Sequence, residues 1–240
     1  MNTRTTRVLV FVPTYNDSVG LGDVCASVLE LAGDIAVLVV DDGSAPPIES
    51  TDLPNKAMLV RLPDNYGLGV ATHVAIGHML AADYDILVRV DGDGQHPVLQ
   101  IPELVSRVVD GGFDFVVGAR PPNVGDRSFR GFAVRIVHRY YKFLGGLMAS
   151  GRSIGDPTCG FHALNRRTAV ELQGLPLERY PEPEIAVVAM TSGLRVGEVP
   201  IQLRSRADGA STISLQRGLL LLYRFNVFAL GQLLKKIAQR

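Results

Sequence analysis

The sequence predicts an α/β protein built on a mostly parallel, twisted sheet with helices on both faces. Short runs rich in Val, Ile and Leu, each ending at a turn-forming residue, are typical of buried strands. They occur at residues 7–12, 36–40, 57–61, 86–90 and 113–117. Stretches with helical spacing separate most of them, at residues 19–31, 68–82 and 98–109. Strands that alternate with helices are joined by crossover connections, which favour a parallel sheet covered on both sides.

The pattern changes after residue 118. A polar loop at residues 121–128 is followed by a basic helix over about residues 131–149 and by a short strand near residues 161–164. The last segment is rich in leucine and also carries several basic residues. We therefore expect one domain over residues 1–212 and an amphipathic carboxyl-terminal helix over residues 213–240.

The composition is that of an ordinary folded protein, with 24 Lys and Arg against 24 Asp and Glu in 240 residues and 47% hydrophobic residues. This composition excludes disorder, and the balanced charge argues against binding nucleic acid. The two cysteines have the spacing of neither a zinc site nor a disulfide framework. The apolar run at residues 8–12 is too short for a signal peptide or a membrane span, so we expect a cytoplasmic protein.

Polar residues follow the predicted strands, at the edge of the sheet where open α/β folds bind ligands. After the first strand, Tyr15 offers an aromatic face with a hydroxyl group. After the second strand, Asp41 and Asp42 place two carboxylates beside a glycine. Both segments have an alternative interpretation as plain turns, because Asp and Gly are common turn residues.

The sharpest chemical signal follows the fourth strand, where a single glycine separates Asp91 from Asp93. Two carboxylates about 4 Å apart repel each other by roughly 4 kcal/mol at an effective dielectric constant of about 20, and a divalent cation between them makes the interaction favourable. Carboxylate oxygens suit Mg²⁺ or Mn²⁺, which keep positions open for water or phosphate oxygens. An EF-hand is excluded because His96 stands where that loop requires glycine. A phosphatase of the haloacid dehalogenase type remains an alternative, although it usually carries this motif on its first strand.

The motifs and their order resemble family 2 glycosyltransferases. The first four are VPTYN at 12–16, VVDDGS at 39–44, NYGLG at 65–69 and DGDGQHP at 91–97. The later ones are VGAR at 117–120, DPTCGF at 156–161, EVPI at 198–201 and RADGAS at 206–211. This set looks most like the branch that contains dolichol-phosphate mannose synthase and bacterial polyprenyl-phosphate sugar transferases. Thr212 departs from that branch, which often carries lysine at this position.

The resemblance implies a GT-A fold, an inverting transfer, and a donor that is a GDP-, UDP- or dTDP-linked sugar. It implies that the nucleoside is held by Pro13, Tyr15, Val40 and Asp42. It assigns the metal and the sugar diphosphate to Asp91, Gly92, Asp93 and Gln95, and it places Arg120 and Arg206 near the sugar and the diphosphate. Metal and guanidinium groups suit this chemistry, because the departing diphosphate accumulates negative charge.

The acceptor decides whether a general base is needed. A hydroxyl acceptor must lose its proton to a base, whereas a phosphate monoester is already ionised near neutral pH. The candidate bases are Asp156, Glu182 and Glu184, and Glu184 has an alternative role as an acidic residue in the first turn of a helix. A basic stretch that includes the predicted helix favours an anionic acceptor or headgroup, and its candidate residues are Arg130, Arg135 and Arg139. A solvated basic face is the alternative.

The predicted function is metal-dependent sugar transfer to a polyprenyl phosphate at the cytoplasmic face of a membrane. The carboxyl-terminal helix either lies in the membrane interface or packs on the domain or on a second subunit of a homodimer. Transfer to a saccharide hydroxyl in polysaccharide biosynthesis is the alternative within enzymes. A non-catalytic domain that binds a nucleotide sugar is the alternative from another class.

Overall fold

The computed structural model describes residues 5–120, 139–140, 143, 154–177, 179, 181–202, 223, 226–232 and 234–235. Within these ranges one sheet has seven strands, which are β1 (Arg7–Thr14), β2 (Asp34–Asp41), β3 (Ala57–Arg61), β4 (Ile86–Arg89), β5 (Phe115–Ala119), β6 (His162–Asn165) and β7 (Val196–Pro200). The order across the sheet is β3-β2-β1-β4-β6-β5-β7. β6 runs antiparallel to β4 and β5, and the other neighbouring pairs are parallel. The predicted α/β class with a mostly parallel sheet is confirmed.

The helices pack on the sheet in two groups. They are α1 (Leu21–Leu29), α2 (Leu68–Ala81), α3 (Ile101–Val109), α4 (Arg166–Gln173) and α5 (Glu182–Thr191). α1 and α3 both contact a short 3₁₀ turn at Val98–Gln100, whereas α2 packs on α4 and α4 packs on α5. Aliphatic strands form the core between these groups, and Phe11, Leu38 and Val88 are completely buried there.

Several element boundaries differ from the sequence prediction for local reasons. β1 continues through Pro13 to Thr14 because both residues stay in register with the end of β2. β5 begins two residues later than predicted because the carboxylate of Asp114 accepts a hydrogen bond from the backbone N–H of Arg195, which fixes the entry into the strand. The predicted helix at 98–109 is a 3₁₀ turn followed by α3, whose first turn contains Pro102.

Other predictions fall mostly outside the described residues. The predicted basic helix contributes only Arg139, Tyr140 and Phe143, which are helical. The predicted domain boundary at residue 212 lies outside the described ranges, and it stays a prediction. Among the residues that the structure describes, no helix combines the length and the apolar character that crossing a membrane requires.

Candidate active site

A cleft of about 350 Å³ opens at the carboxyl ends of β1, β2 and β4. β1 lies between the other two strands, so the residues that follow these three parallel strands converge on one edge of the sheet. The predicted site residues that line the cleft are Pro13, Tyr15, Asp42, Asp91, Gly92 and Asp93. The structure thus brings together residues from three separate motifs.

The side of the cleft nearest β2 is shaped by two buried aspartates. Asp42 accepts hydrogen bonds from the backbone N–H groups of Tyr66 and Gly67, both at 2.8 Å. Asp41 accepts similar bonds from Ser44 at 2.9 Å and Ile48 at 3.2 Å. Both carboxylates therefore hold loops in place, and Asp42 also lines the cleft.

Gly43 is required between these loops. Its φ is 77°, and a Cβ atom at this position would lie 2.5 Å from the carbonyl carbon of Asp64. The close approach brings the loop that follows β3 against the end of β2. This contact places Asn65 and Gly67 in the wall of the cleft.

The predicted nucleoside residues differ in accessibility. Tyr15 is 48% exposed and lines the cleft, so a planar base can stack on its ring. Val40 is completely buried in β2 and is not among the residues that line the cleft. A contact between Val40 and the nucleoside stays a prediction.

A buried arginine occupies the floor of the cleft beside the first aspartate of the Asp-Gly-Asp motif. Arg89 is 5% exposed, and it donates to Oδ1 of Asp91 from Nε at 3.1 Å and from Nη2 at 2.8 Å. Its Nη1 donates to Oε1 of Glu182 at 2.7 Å. An internal cation therefore supplies part of the positive charge that the sequence analysis assigned to a metal.

The charge of Asp91 is strongly favoured. Burial alone would raise the pKa of this carboxyl, but the Arg89 guanidinium outweighs burial and the pKa falls to about 2. The backbone N–H of Asp91 donates to Nδ1 of His96 at 2.9 Å, so Nδ1 carries no proton. Burial lowers the pKa of His96, which agrees with a neutral ring.

Asp91 and Asp93 both line the cleft, and they are the residues that could hold a metal ion. Asp93 accepts a hydrogen bond from the backbone N–H of Gln95 at 3.0 Å, which orients its carboxylate. In the described ranges, no group of three or more His, Cys, Asp or Glu side chains could bind a metal. Two carboxylates fit Mg²⁺ or Mn²⁺, because these ions keep several positions for water and phosphate oxygens.

A second arginine–carboxylate pair lies between β5 and the DPTCGF loop. Nη2 of Arg120 donates to Oδ1 of Asp156 at 2.7 Å and to Oγ1 of Thr158 at 2.6 Å. Burial lowers the pKa of Arg120, but the bond to Asp156 outweighs it and the pKa is raised. The side chain of Asp156 is 7% exposed. Glu198 of β7 fixes this loop by accepting from the backbone N–H of Gly155 at 2.6 Å.

The other candidate bases lie at the start of α5. The side chain of Glu182 is 13% exposed and is bound to Arg89, as described above. Glu184 is 3% exposed within the first turn of α5. Arg139 is exposed, whereas Arg130, Arg135 and Arg206 lie outside the described residues, so their roles stay predictions.

A family model for glycosyl transferase family 2 matches residues 9–172, from β1 to α4. The chain belongs to this family. The match includes Tyr15, Asp42, both aspartates of the Asp-Gly-Asp motif and Arg120. The predicted resemblance is therefore confirmed.

Curated relatives of this glycosyltransferase include enzymes of lipid-linked sugar synthesis. The chain is 30% identical over 227 residues to polyprenol monophosphomannose synthase of Mycolicibacterium smegmatis, and the alignment covers 88% of this chain and 82% of the relative. It is 31% identical over 229 residues to undecaprenyl-phosphate 4-deoxy-4-formamido-L-arabinose transferase of an Enterobacter species. That alignment covers 90% of this chain and 65% of the relative, so the chain spans less than two thirds of that protein.

Solved glycosyltransferase structures share the fold. Glucosyl-3-phosphoglycerate synthase from Mycobacterium tuberculosis, in complex with phosphoglyceric acid, has a TM-score of 0.69 at 19% identity, covering 95% of this chain and 80% of that chain. A mannosyltransferase from Pyrobaculum calidifontis, in complex with GDP-Man and Mn²⁺, has a TM-score of 0.60 at 19% identity, covering 99% of this chain and 66% of that chain. The GT-A fold is thus confirmed for the family 2 domain.

Four residues of the glycosyltransferase site were not predicted from the sequence. Arg89 carried a usable signal, since it is the one charged residue in the Ile-Leu-Val-Arg sequence of β4. Asn65 and Glu198 stood in quoted motifs without an assigned role. Arg179 lines the cleft from a loop, and no spacing in the sequence indicates its approach.

Proposed function

We propose that this chain is a metal-dependent, inverting glycosyltransferase that moves a sugar from a nucleoside diphosphate to a polyprenyl phosphate. The names of its curated relatives support the acceptor class, because one specifies polyprenol monophosphomannose and the other undecaprenyl phosphate. A structural neighbour bound to GDP-Man and Mn²⁺ is consistent with the donor class.

The observation that carries the proposal is the hydrogen bonding and burial of the three candidate bases. Asp156 is held by Arg120, and Glu182 is held by Arg89. Glu184 is buried and does not line the cleft. Asp156 and Glu182 are therefore already engaged by guanidinium groups, and neither is among the residues that line the cleft. An acceptor that is already ionised needs no general base.

The chemical step is a single displacement. An oxygen of the acceptor phosphate forms a bond to the anomeric carbon, and the bond from that carbon to the nucleoside diphosphate breaks with the electron pair leaving on the diphosphate. Attack opposite the leaving group inverts the anomeric centre. The protein contributes mainly by positioning the donor, with Tyr15 beside the base and Asp42 holding the adjacent wall.

A divalent cation would be held by Asp93 and Asp91 and, when bound, would stabilise the negative charge of the departing diphosphate. Asp93 suits this role because the N–H of Gln95 orients its carboxylate toward a fixed position. Arg120 lies close enough to Glu182 for that carboxylate to contribute to its raised pKa. The guanidinium of Arg120 adds positive charge on the side of the cleft where we propose that the sugar is transferred.

The proposed place of action is the cytoplasmic face of a membrane, since the acceptor is a lipid. Support comes from exposed apolar residues in the carboxyl-terminal segment, which are Tyr223, Val227, Leu230 and Leu234, exposed by 54–66%. They are spaced by four, three and four positions and therefore share one face of a helix. Such a face suits the membrane interface.

The test is release of nucleoside diphosphate from GDP-, UDP- and dTDP-sugars with Mg²⁺ or Mn²⁺. Each donor is offered a short polyprenyl phosphate, the matching polyprenol, or a saccharide acceptor. We expect release with one donor class only when the lipid phosphate is present. The polyprenol is the matched control, because it has the same chain and lacks only the ionised group.

Two other outcomes would contradict the proposal. Equal release with polyprenol or with a saccharide would indicate a hydroxyl acceptor and an active general base. Tight donor binding with no release on any acceptor would indicate a domain that binds nucleotide sugars without transferring them.

A further inference from the structure

Arg89 occupies an unusual position for a charged residue. It is the last residue of β4, and only 5% of its surface is exposed, yet its guanidinium reaches the cleft floor. Burying a guanidinium is costly unless carboxylates and hydrogen bonds compensate for the lost water. Here three N–H groups are used, two on Asp91 and one on Glu182.

The two partners come from different parts of the chain. Asp91 follows β4 directly, whereas Glu182 is 93 positions from Arg89 and starts α5. Both donors on Asp91 converge on the same oxygen, Oδ1. This geometry restricts rotation of the carboxylate, because a turn about its bond would break both hydrogen bonds together.

The backbone at Gly160 packs closely against the Arg89–Asp91 ion pair. A Cβ atom at Gly160 would lie 2.8 Å from Nη2 of Arg89 and 3.1 Å from Oδ2 of Asp91. The backbone of the DPTCGF loop therefore lies closer to the ion pair than a residue with a Cβ atom allows. Glycine at 160 is needed for this contact.

Arg89 also changes the local charge. Asp91 and Glu182 carry two formal negative charges, and Arg89, which is bonded to both, reduces this to one. Without Arg89, an incoming nucleoside diphosphate would face one more negative charge.

We propose that Arg89 is a positioning residue that orients Asp91 for the sugar-diphosphate end of the donor and that Glu182 holds Arg89 in place. This inference rests on the proposed function for the identity of the donor. It assigns Glu182 to the support of Arg89 and not to proton transfer.

The test is a double-mutant cycle on nucleotide affinity. Calorimetry with UDP and GDP, each with and without Mn²⁺, compares wild type, Arg89→Met, Asp91→Asn and the double variant. We expect each single change to weaken the affinity of the preferred nucleotide about tenfold with Mn²⁺. We expect the double variant to resemble the single variants, because Arg89 acts through Asp91.

Arg7→Met is the matched control, and Glu182→Gln tests the support of Arg89. A neutral amide holds the Arg89 guanidinium more weakly than a carboxylate does, so we expect Glu182→Gln to weaken affinity by about two- to threefold. This loss is smaller than that of Arg89→Met, because Arg89 keeps its two bonds to Asp91. Arg7 pairs with Asp34 at the opposite end of β1, and Arg7→Met should lower stability without changing affinity. Arg89→Lys should give an intermediate affinity, and it closes the same cycle if Arg89→Met does not fold.

The inference is overturned if the two losses multiply to about a hundredfold in the double variant, because Arg89 would then not act through Asp91. It is also overturned if Glu182→Gln leaves affinity unchanged, because Glu182 would then not hold Arg89 in place. Failure of the proposed function is a separate result. It would be seen as wild-type protein that releases no nucleoside diphosphate in response to a polyprenyl phosphate. The affinity cycle remains decisive for Arg89 in that case.

Discussion

Carboxylates on the two sides of the cleft accept hydrogen bonds from different kinds of donor. On the nucleoside side, at the ends of β2 and β3, Asp41 and Asp42 accept hydrogen bonds from backbone N–H groups. On the transfer side, at the end of β4 and the start of α5, Asp91 and Glu182 accept from a guanidinium. The first arrangement fixes the shape of loops, and the second fixes the balance of charge. Substitutions should therefore affect mainly stability on one side and mainly activity on the other.

The largest expected effect is on the transfer side. Asp93→Asn should lower kcat/KM by about 10²–10³-fold, because a neutral amide is a weak ligand for a hard divalent cation. The free energy of unfolding should change little, since the amide oxygen can still accept the N–H of Gln95. Steady-state kinetics and urea unfolding measure the two quantities. Asp110→Asn, on an exposed carboxylate at the end of α3, is the control that should change neither.

The next effect is on the nucleoside side. Asp42→Ala removes the acceptor for two backbone N–H groups and should lower the free energy of unfolding by about 2–3 kcal/mol. Asp42→Asn keeps one good acceptor and should lose about half as much. Urea unfolding at pH 7 measures both. If Asp42→Ala left stability unchanged and reduced only activity, the contrast between the two sides would be wrong.

The smallest expected effect concerns acid sensitivity beneath the transfer side. Burial, together with nearby Arg89, lowers the pKa of His162 to about 3 from an ordinary value of 6.5. Below pH 6.5 the imidazole of residue 162 binds a proton in the unfolded chain but stays neutral in the folded protein. The free energy of unfolding therefore falls as the pH falls from 6.5 toward 3. Between pH 7 and pH 5 we expect a loss of about 2 kcal/mol from this residue.

Urea unfolding of wild type and His162→Gln at both pH values tests this assignment. The variant has no imidazole at 162, so its stability should depend less on pH by about that amount. Burial lowers the pKa of His96 as well, so His96 contributes to the pH dependence of stability in the same direction in wild type and in the variant. An identical loss in wild type and variant would exclude His162 as the source.

The sequence predicted what local patterns determine. Aliphatic runs located β1 to β5, and the rule that ligands bind at strand ends located Asp42, Asp91 and Asp93. The parallel strand β7 was not predicted, because its sequence, VGEVP, contains only two aliphatic residues. The direction of β6 was not predictable, because a run of four residues has the same pattern in both directions. Pairings across long separations were missed for a related reason. The contact of Arg89 with Glu182 spans 93 positions and that of Gly155 with Glu198 spans 43, and single-sequence periodicity carries no information at that range.

The carboxyl-terminal segment has a consequence for geometry. Phe228 packs against the core of the domain and Ala229 is 6% exposed, whereas Val227 and Leu230 point outward. The hydroxyl of Tyr140 donates to Asn226, which ties this helix to a second segment. A helix anchored on one side cannot swing freely. If its outer face meets a bilayer, it acts as a rigid spacer that sets the height of the cleft above the lipid surface, and thus how far a lipid-borne phosphate must rise to react.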